Sequence, residues 1–303
     1  MPITPAQLEQ RKKSIGSSDM PALMGVDAYK NAADVYHAKV GNVPDYLDDE
    51  EVNEAAEAGN YLEPSVLAWA SAQLGVKIRK NQRRVKGYFA ANLDALIVGR
   101  REALEAKTTG LYNPMFFAED WGDPGTDEVP PRVKVQAHHQ MLCADLERVW
   151  VPALINGKGL VLYRLERSDY LIGEIEEVGI HFWEEHVLKR IPPEDVVPNL
   201  DTIKRLTRQP TKTVELDDRL FLAYLEAKEA AKLAAKDLDE KKAAVLDALG
   251  DAEMGESNVG TLTYYEQTQN RVDTKLLKEK HPDIAAEVSK QVTFRVAREK
   301  VQK

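Results

Sequence analysis

Three residues with complementary chemistry lie close together near residue 100. Asp94 precedes a short turn, and Glu105 and Lys107 follow it in the order acid, spacer, base. Residues two positions apart in a β-strand project from the same face, so Glu105 and Lys107 would share one face. A tight antiparallel turn at residues 99–101 would bring Asp94 beside them. The sequence therefore predicts two carboxylates and one ammonium group on one patch of a sheet.

The predicted patch has the chemistry of a metal-dependent hydrolase. Two adjacent carboxylates repel each other and favour a divalent cation between them. Oxygen ligands without a nearby histidine or cysteine suit Mg²⁺ or Mn²⁺. A lysine beside such a cation could help to deprotonate water and could stabilise the charge that builds up on a phosphate. The patch therefore fits phosphodiester hydrolysis. An exposed ion pair on an amphipathic strand fits too, and the spacing alone favours that simpler interpretation.

The segments around this patch change from helical to strand-like spacing and back. The predicted order is helices within residues 1–75, strands within 77–109, a helix over 133–146, strands within 148–167 and a helix over 170–190. Ser17 or Ser18 is the expected N-cap of the second helix, and Gly75 is the expected end of the long one. This order predicts an α/β (α+β) core in which helices flank a central mixed sheet.

The composition changes after Arg190, where residues 191–210 contain four prolines. We therefore expect one domain over residues 1–200 and a C-terminal appendage over 201–303. Residues 217–250 are rich in Ala, Leu, Lys and Glu, which predicts one long helix or a coiled-coil arm. A small element should follow, with a strand over 260–274, a helix over 275–290 and a strand over 291–299.

Composition limits the class of protein. The 303-residue chain has no apolar run of about eighteen residues, so no membrane span is expected. Its N-terminus lacks the apolar run of a secretory signal. Cys143 is the only cysteine, which excludes an intrachain disulfide and a cysteine-based zinc site. These features predict a reducing, cytoplasmic setting.

The charge is unevenly distributed along the chain. The net charge of −9 argues against a surface that binds nucleic acid everywhere, although a local basic groove is compatible with it. Residues 41–76 contain no Lys or Arg, and residues 77–86 then contain six. The basic run fits either a solvated strand or a surface for the DNA backbone.

Asp94, Glu105 and Lys107 resemble the core motif of the PD-(D/E)xK nuclease superfamily, with Asn92 and Leu93 in place of the usual residues before the aspartate. More specifically, residues 11–195 resemble the YqaJ-like phage recombinase family, relatives of the lambda exonuclease. The matching stretches, in chain order, are RKKSIGSSD, GNYLEP, ALEAKTT, VQAHHQM and HFWEEHVLKRIPPE. This resemblance implies a restriction-endonuclease-like core.

The resemblance also implies roles for the residues of the catalytic patch. The ligands of two Mg²⁺ or Mn²⁺ ions would be the carboxylates of Glu63, Asp94 and Glu105 and the carbonyl of Ala106. Lys107 would be the catalytic lysine, and Gln136 would lie against the site from the following helix.

A second set of residues would bind the terminal 5′ phosphate of DNA. Arg11 and Ser18 would form this pocket with help from Asn92, because an arginine and a helix N-terminus both suit an anion. Two residues depart from the family pattern. Asn92 replaces a small hydroxyl residue, and His138 stands where a second glutamine is frequent. We expect His138 and His139 to be packing or hydrogen-bonding residues rather than metal ligands.

The function implied by the resemblance is a phage 5′–3′ exonuclease acting on double-stranded DNA ends. It would leave 3′ single-stranded tails for a phage single-strand annealing protein. The relatives assemble as homo-oligomeric rings, often trimers, and the expected location is the cytoplasm of a bacterial host. Two alternatives stay open: an endonuclease of the same superfamily, and a catalytically inactive DNA-binding recombination accessory protein.

Overall fold

The structure is a computed structural model that describes residues 5–43, 54–110, 121–209, 212–289 and 297. The chain divides into two units, Met1–Arg208 and Gln209–Lys303. Within the described ranges, no helix combines the length and apolar character needed to cross a membrane.

The first unit alternates helices with the strands of a seven-stranded sheet, as the sequence predicted. The helices are α1 (Pro5–Lys12), α2 (Met20–Leu23), α3 (Ala32–Lys39), α4 (Glu54–Leu74), α5 (Pro131–Ala144), α6 (Asp169–His181) and α7 (Leu200–Arg205). The strands are β1 (Ile15–Gly16), β2 (Ile78–Lys86), β3 (Phe89–Ile97), β4 (Glu102–Leu104), β5 (Lys107–Thr109), β6 (Arg148–Ile155) and β7 (Gly159–Glu166). A π-helical segment, Phe182–Leu188, continues α6.

The sheet is mixed and is organised around β3 and β6. Strand β3 pairs along its length with antiparallel β2, and it also pairs with parallel β1 and antiparallel β4. Strand β6 pairs in parallel with β4 and β5 and antiparallel with β7. Among the described strands, β2 and β7 are therefore the two outer strands. This arrangement confirms the predicted α/β core with a mixed central sheet.

Two apolar clusters cover the two faces of the sheet. The smaller cluster joins Leu67 and Ala70 of α4 to Ala95, Ile97 and Leu104 of the sheet. Burying side chains of the leucine or isoleucine class contributes about 1.5–3 kcal/mol each, so this contact fixes α4 on the sheet.

The larger cluster lies on the face covered by α5 and α6. Alternate residues of β6 belong to it, namely Val149, Val151, Ala153 and Ile155. Ile172 and Ile175 of α6 also pack into it. Because strand side chains alternate between faces, β6 presents one continuous apolar row to these helices.

The helix ends agree with the sequence at one position and differ at another. Helix α4 ends before Gly75, which has a φ of +61° and adopts the left-handed conformation expected there. The prediction of Ser17 or Ser18 as the N-cap of the second helix was wrong, because α2 begins after Asp19. The Asp19 carboxylate accepts a hydrogen bond from the backbone N–H of Gly16 and pairs with Lys39, so it makes no capping bond.

The second unit contains the predicted long helix, α8 (Asp218–Leu249), which starts after the capping residue Asp217. The strand predicted over 260–274 is much shorter, since only β9 (Thr261–Thr263) forms, paired with β8 (Met254–Glu256). The helix predicted over 275–290 is two helices, α9 (Thr274–Lys280) and α10 (Pro282–Glu287), because proline starts a new helix more readily than it continues one. The strand predicted over 291–299 lies outside the described residues, apart from residue 297.

Candidate active site

The acid-spacer-base motif lies where the sheet ladder is interrupted between β4 and β5. The backbone N–H of Glu105 still donates to the Trp150 carbonyl of β6 at 2.9 Å. The N–H of Ala106 instead donates to Asp94 Oδ2 at 2.9 Å. Pro152 lies in the facing stretch of β6 and has no N–H, so it cannot donate a ladder hydrogen bond to the segment between β4 and β5. A side chain of β3 therefore replaces a ladder hydrogen bond at this point.

Glu105 is buried, and hydrogen-bond donors hold both of its carboxylate oxygens. Its side chain is only 4% exposed. Oε1 accepts hydrogen bonds from Lys107 Nζ and from Gln136 Nε2, both at 2.6 Å. Oε2 accepts a hydrogen bond from Gln140 Nε2 at 2.6 Å. These contacts exclude the exposed ion pair that the spacing alone favoured. A buried carboxylate costs several kcal/mol of desolvation, so its presence marks a candidate functional site.

Helix α5 positions two glutamines against Glu105. Gln136 and Gln140 are four residues apart and therefore lie on one face of the helix. Gln136 also accepts a hydrogen bond from Lys107 Nζ at 2.9 Å, so it joins the lysine to the carboxylate. Gln140 is fully buried, and its Oε1 is without a hydrogen-bond partner in the described part of the chain. The sequence interpretation did not assign Gln140 to the site, although its spacing from Gln136 could have identified it.

Asp94 is the electrostatically perturbed member of the site. Burial raises the pKa of Asp94 well above its ordinary value, and the nearby charges of Glu105 and Glu63 raise it further. Lys107 and the Ala106 N–H act in the opposite direction. The carboxyl group therefore resists ionisation more than an exposed aspartate does, even with Lys107 nearby.

Glu63 is directed toward the site by α4. It precedes Leu67 by four residues, and Leu67 packs on the sheet, so both side chains lie on the same helical face. Glu63 acts on Asp94 through its charge rather than through a hydrogen bond. Among the described residues, no three His, Cys, Asp or Glu side chains lie close enough together to hold one metal ion. The three predicted carboxylate ligands therefore do not form a complete metal site in this structure.

The donor set nevertheless fits a hard divalent cation. Asp94 and Glu105 are neighbouring carboxylates in a buried site, and burial followed by the charge of Glu105 raises the pKa of Asp94. Oxygen ligands of this kind suit Mg²⁺ or Mn²⁺. The metal assignment of Asp94, Glu105, Glu63 and the Ala106 carbonyl stays a prediction.

The residues predicted to bind a 5′ phosphate are not joined by hydrogen bonds to one another in the described structure. Gly16 of β1 pairs in parallel with Ala90 of β3, so Ser18 and Asn92 each lie two residues beyond a paired position. Arg11 and Ser18 are exposed. Helix α2 has only four residues, so its N-terminus adds little to an anion site. The pocket stays a prediction.

The two adjacent histidines have structural contacts, as expected from the sequence. Burial lowers the pKa of His139 to about 4, which keeps the ring neutral near neutral pH. Its Nε2–H donates to the Ala90 carbonyl at 3.2 Å, and the ring packs edge-on against Phe89. His138 Nδ1–H donates to the Lys134 carbonyl at 2.8 Å, and burial lowers its pKa as well.

Strand β3 changes faces in the middle of its length. Phe89, Ala91 and Leu93 belong to the larger apolar cluster, whereas Ala95 and Ile97 belong to the smaller one. In a regular strand these five odd-numbered residues would share one face. The alternation therefore shifts by one residue between the two sets, at the site aspartate.

Asn81 of β2 allows the neighbouring strand to follow this shift. It stands opposite Asp94 in the β2–β3 register and has a φ of 54°, in the left-handed region. The pairing on both sides of Asn81 keeps one register. Asparagine adopts this conformation more readily than most residues that have a side chain. Glycine adopts it without a steric cost.

Replacing Asn81 with valine is expected to lower the free energy of unfolding by about 1–2 kcal/mol, because a β-branched residue resists positive φ. Replacing Asn81 with glycine should leave stability close to that of the wild type. Urea denaturation measures both. The control is Gln82→Val at the next position of the same strand, where φ is not positive. Equal stability of the Asn81→Val and Gln82→Val proteins would contradict the role given to Asn81.

The chain is similar to a known protein family and to a known bacterial protein. Residues 7–147 match the family model of the YqaJ-like viral recombinase domain. A relative from Bacillus subtilis (strain 168), the uncharacterized protein YqaJ, is 28% identical over 301 residues, which cover 95% of this chain and 91% of that protein. The similarity to this relative therefore continues through the second unit.

Solved structures show a similar fold. An alkaline exonuclease, LHK-Exo from Laribacter hongkongensis, is 21% identical over 62% of this chain and 94% of its own. The TM-score is 0.50 for its complex with dAMP and 0.49 for a second crystal structure. At this identity the similarity shows the fold alone. The match of residues 7–147 to the family model is what confirms the resemblance seen in the sequence.

Proposed function

We propose, from the match of residues 7–147 to the model of the YqaJ-like viral recombinase domain, that this protein is a phage-type, metal-dependent deoxyribonuclease. Its proposed activity is 5′–3′ resection of linear double-stranded DNA, which would leave 3′ single-stranded tails for recombination by strand annealing. The observation that carries the proposal is the buried Glu105 carboxylate, held by Lys107 and placed beside Asp94.

The proposed cofactor is Mg²⁺ or Mn²⁺, with two ions per site. Asp94 and Glu105 would hold the metal together with the Ala106 carbonyl, and Glu63 would approach from α4. When bound, the metal would lower the pKa of water and neutralise charge that develops on the scissile phosphate. The raised pKa of Asp94 supports this assignment, because a nearby cation would favour the ionised carboxylate.

The protein groups around the metal site have separate tasks in this proposal. Lys107 Nζ is anchored by Glu105 and Gln136, and 22% of the lysine side chain is accessible, compared with 4% of the Glu105 side chain. It can therefore reach a phosphate oxygen and stabilise negative charge in the transition state. Gln136 and Gln140 orient Glu105 from α5.

The remaining assignments extend the proposal to DNA ends and partners. Arg11, Ser18 and Asn92 would contact a terminal 5′ phosphate. A homo-oligomeric ring, such as a trimer, would enclose the duplex, and a phage annealing protein would take the 3′ tail. The site of action would be the cytoplasm of a bacterial host. The fold shared with an alkaline exonuclease supports this proposal at the level of architecture.

The test uses the purified full-length protein with Mg²⁺ and three substrates. These are a linear duplex labelled at both 5′ ends, the same duplex labelled at both 3′ ends, and a covalently closed circle. We expect early loss of the 5′ label, retention of the 3′ label on single strands, and an intact circle. Early loss of the 3′ label would contradict the polarity. Cleavage of the circle would replace the exonuclease proposal with an endonuclease.

A further inference from the structure

The outer strand β2 carries a concentration of positive charge that the catalytic proposal does not use. Its nine residues, IRKNQRRVK, contain no acid. The cations of this basic strand are Arg79, Lys80, Arg83, Arg84 and Lys86. We propose that the basic strand binds the phosphate backbone of DNA beside the active site. This inference rests on the proposed nuclease function and adds a binding surface to it.

Most of this charge has no acidic partner. Within the described part of the chain, Lys86 pairs with Glu176, but no carboxylate lies in salt-bridge distance of the other four cations. Arg84 Nη1 donates to the Arg83 carbonyl at 2.8 Å, and Arg83 Nη1 donates to Asn92 Oδ1 at 3.4 Å. The chain has a net charge of −9, so these cations are unpaired within the described residues despite an excess of acidic residues. Adjacent unpaired cations repel one another, and a polyanion would relieve that repulsion.

The position of the basic strand relative to the site supports the same partner. Asn81 stands opposite Asp94 in the register, so Arg79 and Arg83 lie two residues to either side of that point. Paired strands lie about 4.8 Å apart and rise about 3.4 Å per residue, which puts the backbones of both arginines roughly 8 Å from that of Asp94. A DNA strand held at Asp94 would therefore have its neighbouring phosphates within reach of both side chains.

The exposure of the cations also fits a backbone ligand. Arg79, Lys80, Arg83 and Lys86 are exposed, and they project from both faces of an outer strand. Such a surface offers charge without a shaped pocket for bases, so we expect binding without sequence preference. The competing explanation is that the charges only prevent edge-to-edge association of β2 with other strands. The experiment separates the two.

The test compares two triple variants of the full-length protein. The first is Arg79→Gln, Lys80→Gln and Arg83→Gln. The control is Lys134→Gln, Arg164→Gln and Lys189→Gln, which removes the same charge from exposed positions that pair with Asp127, Glu166 and Glu185. Binding of a fluorescent duplex of random sequence is measured by anisotropy in EDTA over a range of NaCl concentrations. Light scattering reports self-association of each protein.

Loss of three phosphate contacts should reduce the slope of log K against log[salt] by about 2.7, since each contact contributes about 0.9. We expect the control to keep the wild-type slope. The inference is overturned if the first variant keeps the wild-type slope, whether or not it self-associates. It is also overturned if wild-type protein digests DNA with Mg²⁺ but does not bind it in EDTA. If wild-type protein neither binds nor digests DNA, the proposed nuclease function fails, and the binding surface fails with it.

Discussion

Asp94→Asn is expected to abolish most DNA hydrolysis and, at the same time, to stabilise the protein at neutral pH. The rate should fall by about 10²–10³-fold, the size of effect seen when one electrostatic group of an active site is removed. Stability should rise because asparagine is neutral, whereas burial and the charges of Glu105 and Glu63 penalise an ionised Asp94. Asparagine also keeps an oxygen that can accept the Ala106 N–H.

The pH dependence follows from the raised pKa of Asp94. Between the ordinary pKa of an aspartate and the raised value, the folded protein binds more protons at this residue than the unfolded chain does. The free energy of unfolding therefore falls as pH rises through this window. Above the window, the stabilising contribution of protonated Asp94 is lost. Asp94→Asn removes that dependence, so the stability difference between variant and wild type should grow with pH and then level off.

Thermal unfolding at a series of pH values measures this effect without metal or DNA. A gain of 1 kcal/mol corresponds to about 2–4 °C in Tm for a unit of this size. The control is Asp127→Asn, because a hydrogen bond and ion pair from Lys134 lower the pKa of that exposed carboxylate. The pKa of Asp127 is shifted in the opposite direction to that of Asp94, so Asp127→Asn should leave stability unchanged or lower it slightly. An Asp94→Asn protein less stable than wild type at neutral pH would contradict the electrostatic account of the site.

Lys107→Ala is expected to reduce hydrolysis by about 10²–10³-fold through loss of a positive group at the scissile phosphate. Its effect on stability should be opposite to that of Asp94→Asn. Lys107 donates to Glu105 Oε1, and its removal leaves a buried carboxylate with less compensation. Breaking a buried pair in this way costs up to about 3–5 kcal/mol, with the lower end expected because Lys107 is partly exposed.

The matched control is Lys134→Ala on α5, where the lysine forms an exposed ion pair with Asp127. Such a pair contributes about 0–1 kcal/mol, so this variant should unfold and digest DNA much as the wild type does. Urea denaturation and initial rates of nucleotide release are measured on the same preparations. If Lys107→Ala retained at least half of the wild-type rate while folding normally, Lys107 would not be catalytic.

The sequence predicted the local geometry of the motif correctly. Glu105 and Lys107 share a face and meet directly, while Leu104 and Ala106 pack in the smaller cluster on the other face. The turn before Glu105 also brings Asp94 to it, as expected. Two-residue periodicity is a local property of the backbone, so it can be seen in a short stretch of sequence.

Features that depend on distant parts of the chain could not be predicted in the same way. The burial of Glu105 depends on α5, which begins more than twenty residues later and supplies Gln136 and Gln140. The interruption between β4 and β5 faces Pro152 of β6, and the shift of alternation in β3 faces Asn81 of β2, which has a positive φ. Each of these residues has an ordinary local interpretation, and only the tertiary fold brings them to Asp94.

The most direct test of the central claim is nucleotide release from a linear duplex by the purified full-length protein. The reaction is run with Mg²⁺, with Mn²⁺ and with EDTA, and Asp94→Asn is assayed in parallel. We predict progressive release by the wild type with either metal, none in EDTA, and loss of about 10²–10³-fold in the variant. No release by a folded wild-type protein with either metal, or equal release by Asp94→Asn, would contradict the assignment of this site as a nuclease centre.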